Sequence, residues 1–199
     1  MGNPMAIIRL TSTDALIIVD MQIDFMPGGA LPVPNALTII PVINKYINIF
    51  AGKKATIVAT RDWHPHNHIS FKHRGGPWPP HCVQGTKGAE LHPDLRIPQN
   101  VILVSKGFDE DKEAYSGFDG TNLDQILKAR KIRRVFVCGV ATDYCVKATV
   151  LDAIELGYNV LVLKDAIKGV DIPKGAENKA INEMLDAGAI LADLNDIEK

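Results

Sequence analysis

Cys145 lies in the first turn of a predicted helix, directly after a predicted buried strand, within the segment GVATDYC at 139–145. The N–H groups and the dipole of a helix N-terminus favour a thiolate over a thiol, whose pKa in a free side chain is about 8.5. The same N–H groups can bind an oxyanion. Cys145 is therefore a candidate nucleophile, although an inert cysteine that packs a helix start is the alternative. Cys138, inside the strand, is expected to pack in the core.

An acid and a cation follow two other apolar runs of the chain. Asp20 comes directly after the run at 15–19, and Lys106 comes shortly after the run at 101–104. Burying an ammonium costs several kcal/mol of free energy unless a nearby carboxylate or thiolate offsets the cost. Because ligands bind at the carboxyl ends of parallel strands, we expect this acid and this cation to meet Cys145 at one edge, where the lysine favours the thiolate.

A possible metal site begins at the end of another predicted strand. Asp62 and His64 are two residues apart, so their side chains point to the same side, and His81 can fold back from the following loop. Two imidazoles and a carboxylate suit one divalent metal ion, with Zn²⁺ preferred and Fe²⁺ or Mn²⁺ chemically compatible. Whether His68 is a fourth ligand stays open.

These residues must be positioned by short apolar runs that alternate with helical patterns. The predicted strands are 15–19, 55–59, 101–104, 135–138, 160–163 and 189–191, and the predicted helices are 35–51, 121–131, 142–156 and 174–187. Continuous apolar strands separated by helices predict an α/β fold: a doubly wound, mostly parallel six-stranded sheet with helices on both faces, a Rossmann-like three-layer sandwich. The segment 63–98, rich in histidine and proline, is expected to be a long ordered loop with a function.

Composition limits the classes of partner. With 199 residues, 46% of them hydrophobic, the chain is expected to form one domain over 1–199. A net charge of -1 without a Lys/Arg cluster argues against nucleic acid and anionic membranes, so the expected partner is a small molecule. The start of the chain, MGNPM, lacks the features of a signal peptide, and no apolar segment reaches the ~20 residues of a membrane span. We therefore expect a cytoplasmic protein with free thiols.

Several segments resemble one known family, in the family's order along the chain. They are DMQIDF at 20–25, PGGAL at 27–31, RDWH at 61–64, WPPHC at 78–82, Lys106, YSGF at 115–118 and GVATDYCV at 139–146. From about residue 14 to the final helix, the chain resembles the nicotinamidases and pyrazinamidases of the isochorismatase-like cysteine hydrolases.

This resemblance implies roles for individual residues. It implies a catalytic triad of Asp20, Lys106 and Cys145, and a metal site at the three positions inferred above, Asp62, His64 and His81. It further implies an oxyanion hole made by the N–H groups of Ala141 and Cys145, next to a cis peptide between Val140 and Ala141. The implied substrate contacts are Phe25, Trp78, Tyr115, Val140 and Ala141. Phe25 and Trp78 also suit two walls for a flat ring, because both are aromatic residues in loops that leave strand ends.

The activity implied is deamidation of nicotinamide to nicotinate and ammonia, and of pyrazinamide to pyrazinoate, through a thioester on Cys145. The metal would position the pyridine ring, the pathway would be NAD salvage, and the chain would be a homo-oligomer. Two alternatives stay open: a metallo-amidohydrolase in which water activated by the metal attacks, and a ligand-binding or redox-sensing protein without turnover. Isochorismatases and carbamoyl-amide hydrolases share the fold and the thiol, but the metal set favours the nicotinamidase branch.

Overall fold

A computed structural model describes residues 7–198. At its centre lies one sheet, whose strands in chain order are β1 Asp14–Val19, β2 Thr56–Asp62, β3 Ile102–Lys106, β4 Arg134–Val140, β5 Asn159–Lys168 and β6 Ile190–Ala192. The spatial order is β3-β2-β1-β4-β5-β6, and neighbouring strands are parallel. The predicted six-stranded, doubly wound sheet is confirmed.

Helices cover both faces of this sheet. They are α1 Ile40–Gly52, α2 Leu123–Ala129, α3 Lys147–Glu155 and α4 Ala176–Asp186. Along β1 the side chains alternate between the two sides, so Leu16 and Ile18 pack in the core on the α1 side, whereas Ile17 and Val19 pack on the side of the other three helices. Because all six residues of β1 are buried, the strand appears in the sequence as an uninterrupted apolar run.

The strands that carry the polar residues are longer than their apolar runs. β2 continues to Asp62 and β3 to Lys106, because the ladder between these strands extends to the pair formed by these two residues. β5 has ten residues where four were predicted, and its added part pairs with the end of β4 after a register shift. The predicted helix at 142 begins with a π-helical turn, Thr142–Val146, that leads into α3.

The loop at 63–98 is ordered by short local elements. It contains 3₁₀ turns at Lys72–Arg74 and Lys87–Ala89, and isolated bridges join His64 to Val83 and Phe71 to Trp78. Within residues 7–198, no helix has both the length and the apolar character required to cross a bilayer. Residues 1–6, on which the prediction about a signal peptide depends, lie outside the described part of the chain.

Candidate active site

The structure brings the predicted acid, cation and thiol together at the carboxyl edge of the sheet. Asp20 directly follows β1, Lys106 is the last residue of β3, and Cys145 lies in the π-helical turn after β4. The Nζ atom of Lys106 is 2.8 Å from Oδ2 of Asp20 and 3.5 Å from Sγ of Cys145. All three side chains are buried. This cluster therefore joins groups from the ends of three strands.

Lys106 also contacts a second carboxylate. Its Nζ atom donates to Oδ1 of Asp62 at 2.5 Å. Burial lowers the pKa of Lys106, but the charges of Asp20 and Asp62 outweigh burial and raise that pKa well above its usual value. Burial raises the pKa of Asp62, but Lys106 and the neighbouring histidines outweigh burial. The pKa of Asp62 is therefore lowered, and its carboxyl is ionised. Lys106 is therefore a permanent cation between two acids.

The thiol of Cys145 is protonated in this arrangement. Burial raises its pKa well above the usual value, Lys106 offsets part of this effect, and the negative charges of Asp20 and Asp62 add to it. Lys106 favours the thiolate, as predicted, but desolvation and the two carboxylates outweigh its effect, so a base must take the thiol proton. Burial also raises the pKa of Asp20, despite the opposing effect of Lys106, which makes that carboxylate a stronger proton acceptor.

The three predicted metal ligands form a second cluster beside the first. Nδ1 of His64 lies 2.9 Å from the carbonyl oxygen of His81, and Nδ1 of His81 lies 2.8 Å from the carbonyl oxygen of Pro79. Each ring donates its Nδ1–H to a carbonyl, so Nε2 is the nitrogen of each ring that could bind a metal ion. Nε2 of His81 is 4.0 Å from Oδ2 of Asp62, and ligand atoms of all three residues lie within 4.8 Å of one another.

This donor set fits a divalent metal ion. Burial lowers the pKa of His64 to about 4, so the ring is neutral and can act as a ligand. Imidazoles oriented by backbone carbonyls are the usual arrangement at metal centres. The carboxylates of Asp20 and Asp62 also carry one more negative charge than Lys106 neutralises, and a cation beside Asp62 would balance it.

His68 uses both of its ring nitrogens elsewhere. Nδ1 lies 2.7 Å from Oγ of Ser70, and Nε2 lies 3.0 Å from the carbonyl oxygen of Lys112. Ligand atoms of His68, His64 and Glu113 also lie within 4.8 Å of one another. However, hydrogen bonds occupy His68 at both nitrogens, and the bond to Lys112 ties the long loop to the segment after β3. The geometry therefore favours a metal site with three protein ligands.

An apolar pocket opens onto both clusters. Four of the predicted substrate contacts, Phe25, Trp78, Tyr115 and Ala141, line it, and Cys145 forms part of its surface, together with Asp62 and His81. The other lining residues, which the sequence analysis missed, are Leu31, Pro32, Val33, Tyr144 and Val170. The ring of Tyr144 packs edge-on against Trp78 with centroids 5.2 Å apart, and Nε1 of Trp78 donates to Oη of Tyr115 at 3.1 Å. The pocket therefore has aromatic walls suited to a flat ring.

Val140 does not line this pocket. Its side chain is fully buried in the core on the α1 side, because strand alternation at the end of β4 points it inward. The prediction that Val140 contacts the substrate therefore finds no support in the position of its side chain and stays a prediction. The peptide between Val140 and Ala141 is cis, as the resemblance implied. The N–H of Ala141 donates no hydrogen bond to another residue of the described chain, so it is available to an oxyanion.

One supporting side chain, Gln22, could not be recognised from its residue type. Gln22 is fully buried, its Nε2 donates to the carbonyl oxygen of Asp62, and its Oε1 accepts the N–H of the same residue, both at 2.8 Å. The side chain thus pairs with the end of β2 as a neighbouring strand would. A single glutamine after a strand carries no distinctive pattern, and only the register of β1 and β2 reveals this contact.

Known proteins share this fold and sequence. The isochorismatase domain family matches residues 14–196. A nicotinamidase of Acinetobacter baylyi is 44% identical over 196 residues, which cover 87% of this chain and 89% of that protein. A pyrazinamidase of Pyrococcus horikoshii, solved in complex with zinc, has a TM-score of 0.88 at 54% identity and covers 92% of this chain and 99% of its own. PnC1 from L. infantum, solved in complex with nicotinate, has a TM-score of 0.89 at 40% identity and covers 96% of this chain and 98% of its own.

The chain therefore belongs to the isochorismatase family. Within that family, the predicted resemblance to nicotinamidases and pyrazinamidases is confirmed, and the chain is a hydrolase of the nicotinamidase type.

Proposed function

We propose that this chain hydrolyses the carboxamide of nicotinamide to nicotinate and ammonia, and that of pyrazinamide to pyrazinoate. The observation that carries the proposal is the buried contact of Lys106 with both Asp20 and Cys145, at the base of an aromatic pocket beside a metal-ligand set. The names of the relatives support the same substrates. Ammonia release from nicotinamide, measured with the metal content of the same preparation, tests the proposal directly.

The first half of the reaction forms a thioester. Asp20 accepts the proton of the Cys145 thiol, and the thiolate attacks the carbonyl carbon of the amide. The N–H groups of Ala141 and Cys145 bind the oxyanion of the tetrahedral intermediate, and one such donor is worth about 3 kcal/mol. Asp20 then returns the proton to the amide nitrogen, so that ammonia leaves when the C–N bond breaks. Lys106 keeps its charge and holds the carboxylate in place.

The second half returns the enzyme to its starting state. Water enters where ammonia left, and Asp20 accepts one of its protons while the oxygen attacks the thioester carbon. The same oxyanion hole binds the second tetrahedral intermediate. The C–S bond breaks, Cys145 regains its proton from Asp20, and the acid is released. One carboxylate therefore acts twice as base and twice as acid.

A divalent cation held by Asp62, His64 and His81 would supply a Lewis-acid position for the ring nitrogen of the substrate. Zn²⁺ suits this donor set, and Fe²⁺ and Mn²⁺ are compatible with it. Phe25 and Trp78 provide stacking surfaces for the ring, so that the carboxamide faces Cys145. The aromatic side chains would thus set the plane of the ring, and a metal ion held by the three ligands would supply a contact for its nitrogen.

Substrate choice should follow the ring nitrogen. We expect kcat/KM for benzamide to be at least about 100-fold lower than for nicotinamide in metal-replete enzyme, because benzamide has the same shape but no ring nitrogen. Stacking on Phe25 and Trp78 distinguishes nitrogen from C–H by no more than ~1–2 kcal/mol. Pyrazinamide, which keeps the nitrogen, is the matched control. Near-equal values for benzamide and nicotinamide would show that the metal set does not direct recognition.

Loss of the metal should inactivate the enzyme. We expect a chelator to abolish ammonia release and Zn²⁺, Fe²⁺ or Mn²⁺ to restore it. His81→Ala should weaken metal affinity by at least about 100-fold, since even an outer-shell partner of a ligand contributes 10–100-fold. Asp62→Ala should also reduce metal content, and it removes a partner of Lys106. His68→Ala is the control, and it should retain one metal ion per chain. A loss of metal in His68→Ala would instead establish a fourth ligand.

The remaining predictions stay proposals. We infer that residues 1–199 form one domain, that the protein acts in the cytoplasm, and that its reaction belongs to NAD salvage. Homo-oligomer formation also stays a prediction. The family match over 14–196 supports the single domain, and the substrates proposed above support the salvage role.

A further inference from the structure

Thr60 makes a buried hydrogen bond to the proposed catalytic base. It lies within β2, its side chain is fully buried, and its Oγ1 donates to Oδ1 of Asp20 at 2.7 Å. Its carbonyl oxygen also accepts the N–H of Asp20 at 3.2 Å. Thr60 therefore holds both the backbone and one carboxylate oxygen of Asp20.

The other oxygen of Asp20 has a different environment. Oδ2 is buried and lies 2.8 Å from Nζ of Lys106, and apart from this ion pair it has no hydrogen-bond partner within residues 7–198. A carboxylate oxygen of Asp20 and Sγ of Cys145 lie within 4.8 Å of each other. Thr60 thus holds Oδ1 and Lys106 holds Oδ2, so both ends of the carboxylate have a partner, and each oxygen keeps a lone pair that can accept a further proton.

Packing fixes which way the Thr60 hydroxyl points. A methyl group added at Gly117 would lie 3.0 Å from Cγ2 of Thr60, so the existing methyl of Thr60 fills the space that the glycine leaves. A β-branched side chain has few rotamers, and a methyl fixed against Gly117 leaves the hydroxyl facing Asp20. Gly117, in the YSGF segment at 115–118, has no role in the proposed chemistry, but its lack of a side chain leaves room for the methyl group of Thr60 and so orients Thr60.

We propose that Thr60 is a positioning residue for the hydrolysis proposed above: its hydroxyl on Oδ1, together with Lys106 on Oδ2, fixes the orientation in which the carboxylate of Asp20 accepts the proton of Cys145. This inference rests on the proposed function. Without the hydroxyl only Lys106 holds the carboxylate, so the carboxylate gains freedom to rotate about its last side-chain bond and its lone pairs are less well directed toward the thiol. The expected defect therefore lies in the chemical step and not in substrate binding.

The test compares Thr60→Val with Thr60→Ser. Valine keeps the shape and removes the hydroxyl, so we expect kcat to fall about 10–100-fold with KM within about threefold, the effect of a misplaced catalytic group. Serine keeps the hydroxyl and should retain kcat within about threefold. Thermal unfolding and metal content are measured on the same samples. If Thr60→Val does not fold, Thr60→Ala replaces it in the same comparison.

Two results would overturn the proposal: wild-type kcat in the variant that lacks the hydroxyl, or an equal loss in Thr60→Ser. The rate of Cys145 alkylation by iodoacetamide, followed by peptide mass spectrometry, separates this proposal from the proposed function. If Thr60 acts through Asp20, alkylation slows in Thr60→Val and not in Thr60→Ser, whichever amide the wild-type enzyme hydrolyses. Equal alkylation rates in wild type and Thr60→Val would refute the positioning role.

Discussion

Replacing Cys145 by alanine or serine should lower kcat for nicotinamide by a factor of about 10⁴ or more, the scale of losing a covalent nucleophile. Alanine has no group that can attack the carbonyl carbon. Serine has a hydroxyl whose proton is much harder to remove, and the site already raises the pKa of the cysteine thiol. Steady-state ammonia release measures the loss, and unfolding curves with metal analysis check that fold and metal content stay unchanged.

Cys138→Ala provides the matched control. This thiol is fully buried within β4 and packs in the core, and burial raises its pKa, which disfavours the reactive thiolate. We expect this variant to keep most of its kcat and to lose some stability, because a buried group becomes smaller. Near-wild-type turnover by Cys145→Ala would contradict the thioester mechanism and favour attack by metal-activated water.

Asp20→Asn should be nearly as damaging as loss of the thiol, with kcat lower by about 10³-fold or more. An amide can neither accept the proton of Cys145 nor activate the water that hydrolyses the thioester. It also leaves Lys106 paired with Asp62 alone. Single-turnover measurements should show that acylation itself has slowed, since no thioester accumulates.

Asp24→Asn is the control for this substitution. The carboxylate of Asp24 accepts the N–H groups of Cys82 and Ala30, so it shapes the loops around the pocket and does not face the thiol. We expect a loss of about 1–3 kcal/mol in unfolding free energy and a much smaller change in kcat. Equal tolerance of both substitutions would show that Asp20 is not the base.

The sheet could be predicted because its strands are buried on both faces. Such strands appear as apolar runs, and β1 and β4 matched their runs within two residues at each end. Where a strand continues into polar residues the signal is lost, as in the second half of β5, which pairs with the end of β4. Hydropathy shows where a strand is buried and does not show where its hydrogen-bond ladder ends.

Most of the predicted triad and metal residues could be named in advance because they stand at a strand end or follow one, whereas His81 lies within the long loop after β2. Their residue types indicate acid, cation, thiol and ligand chemistry, and the order of the strands brings them together. The supporting residues could not be found in this way. Gln22 and Thr60 act through hydrogen bonds that depend on register, and Tyr144 reaches the pocket because of the direction of one helical turn. The direction of the pKa shift of Cys145 could not be read from the sequence either, because burial and the charges of two carboxylates outweigh the effect of Lys106.

Lys106 also stabilises β3 against local unfolding, because β3 is an edge strand of the sheet. Only Val104 and Lys106 are buried among its five residues, so apolar contacts alone would hold β3 weakly. Edge strands of this kind are ordinarily among the first parts of a fold to open in local unfolding. Here opening would separate a buried ammonium from two carboxylates, which is costly in the interior. The proposed catalytic lysine thus stabilises the edge strand of the sheet. Local unfolding of β3 would therefore also disrupt the candidate active site.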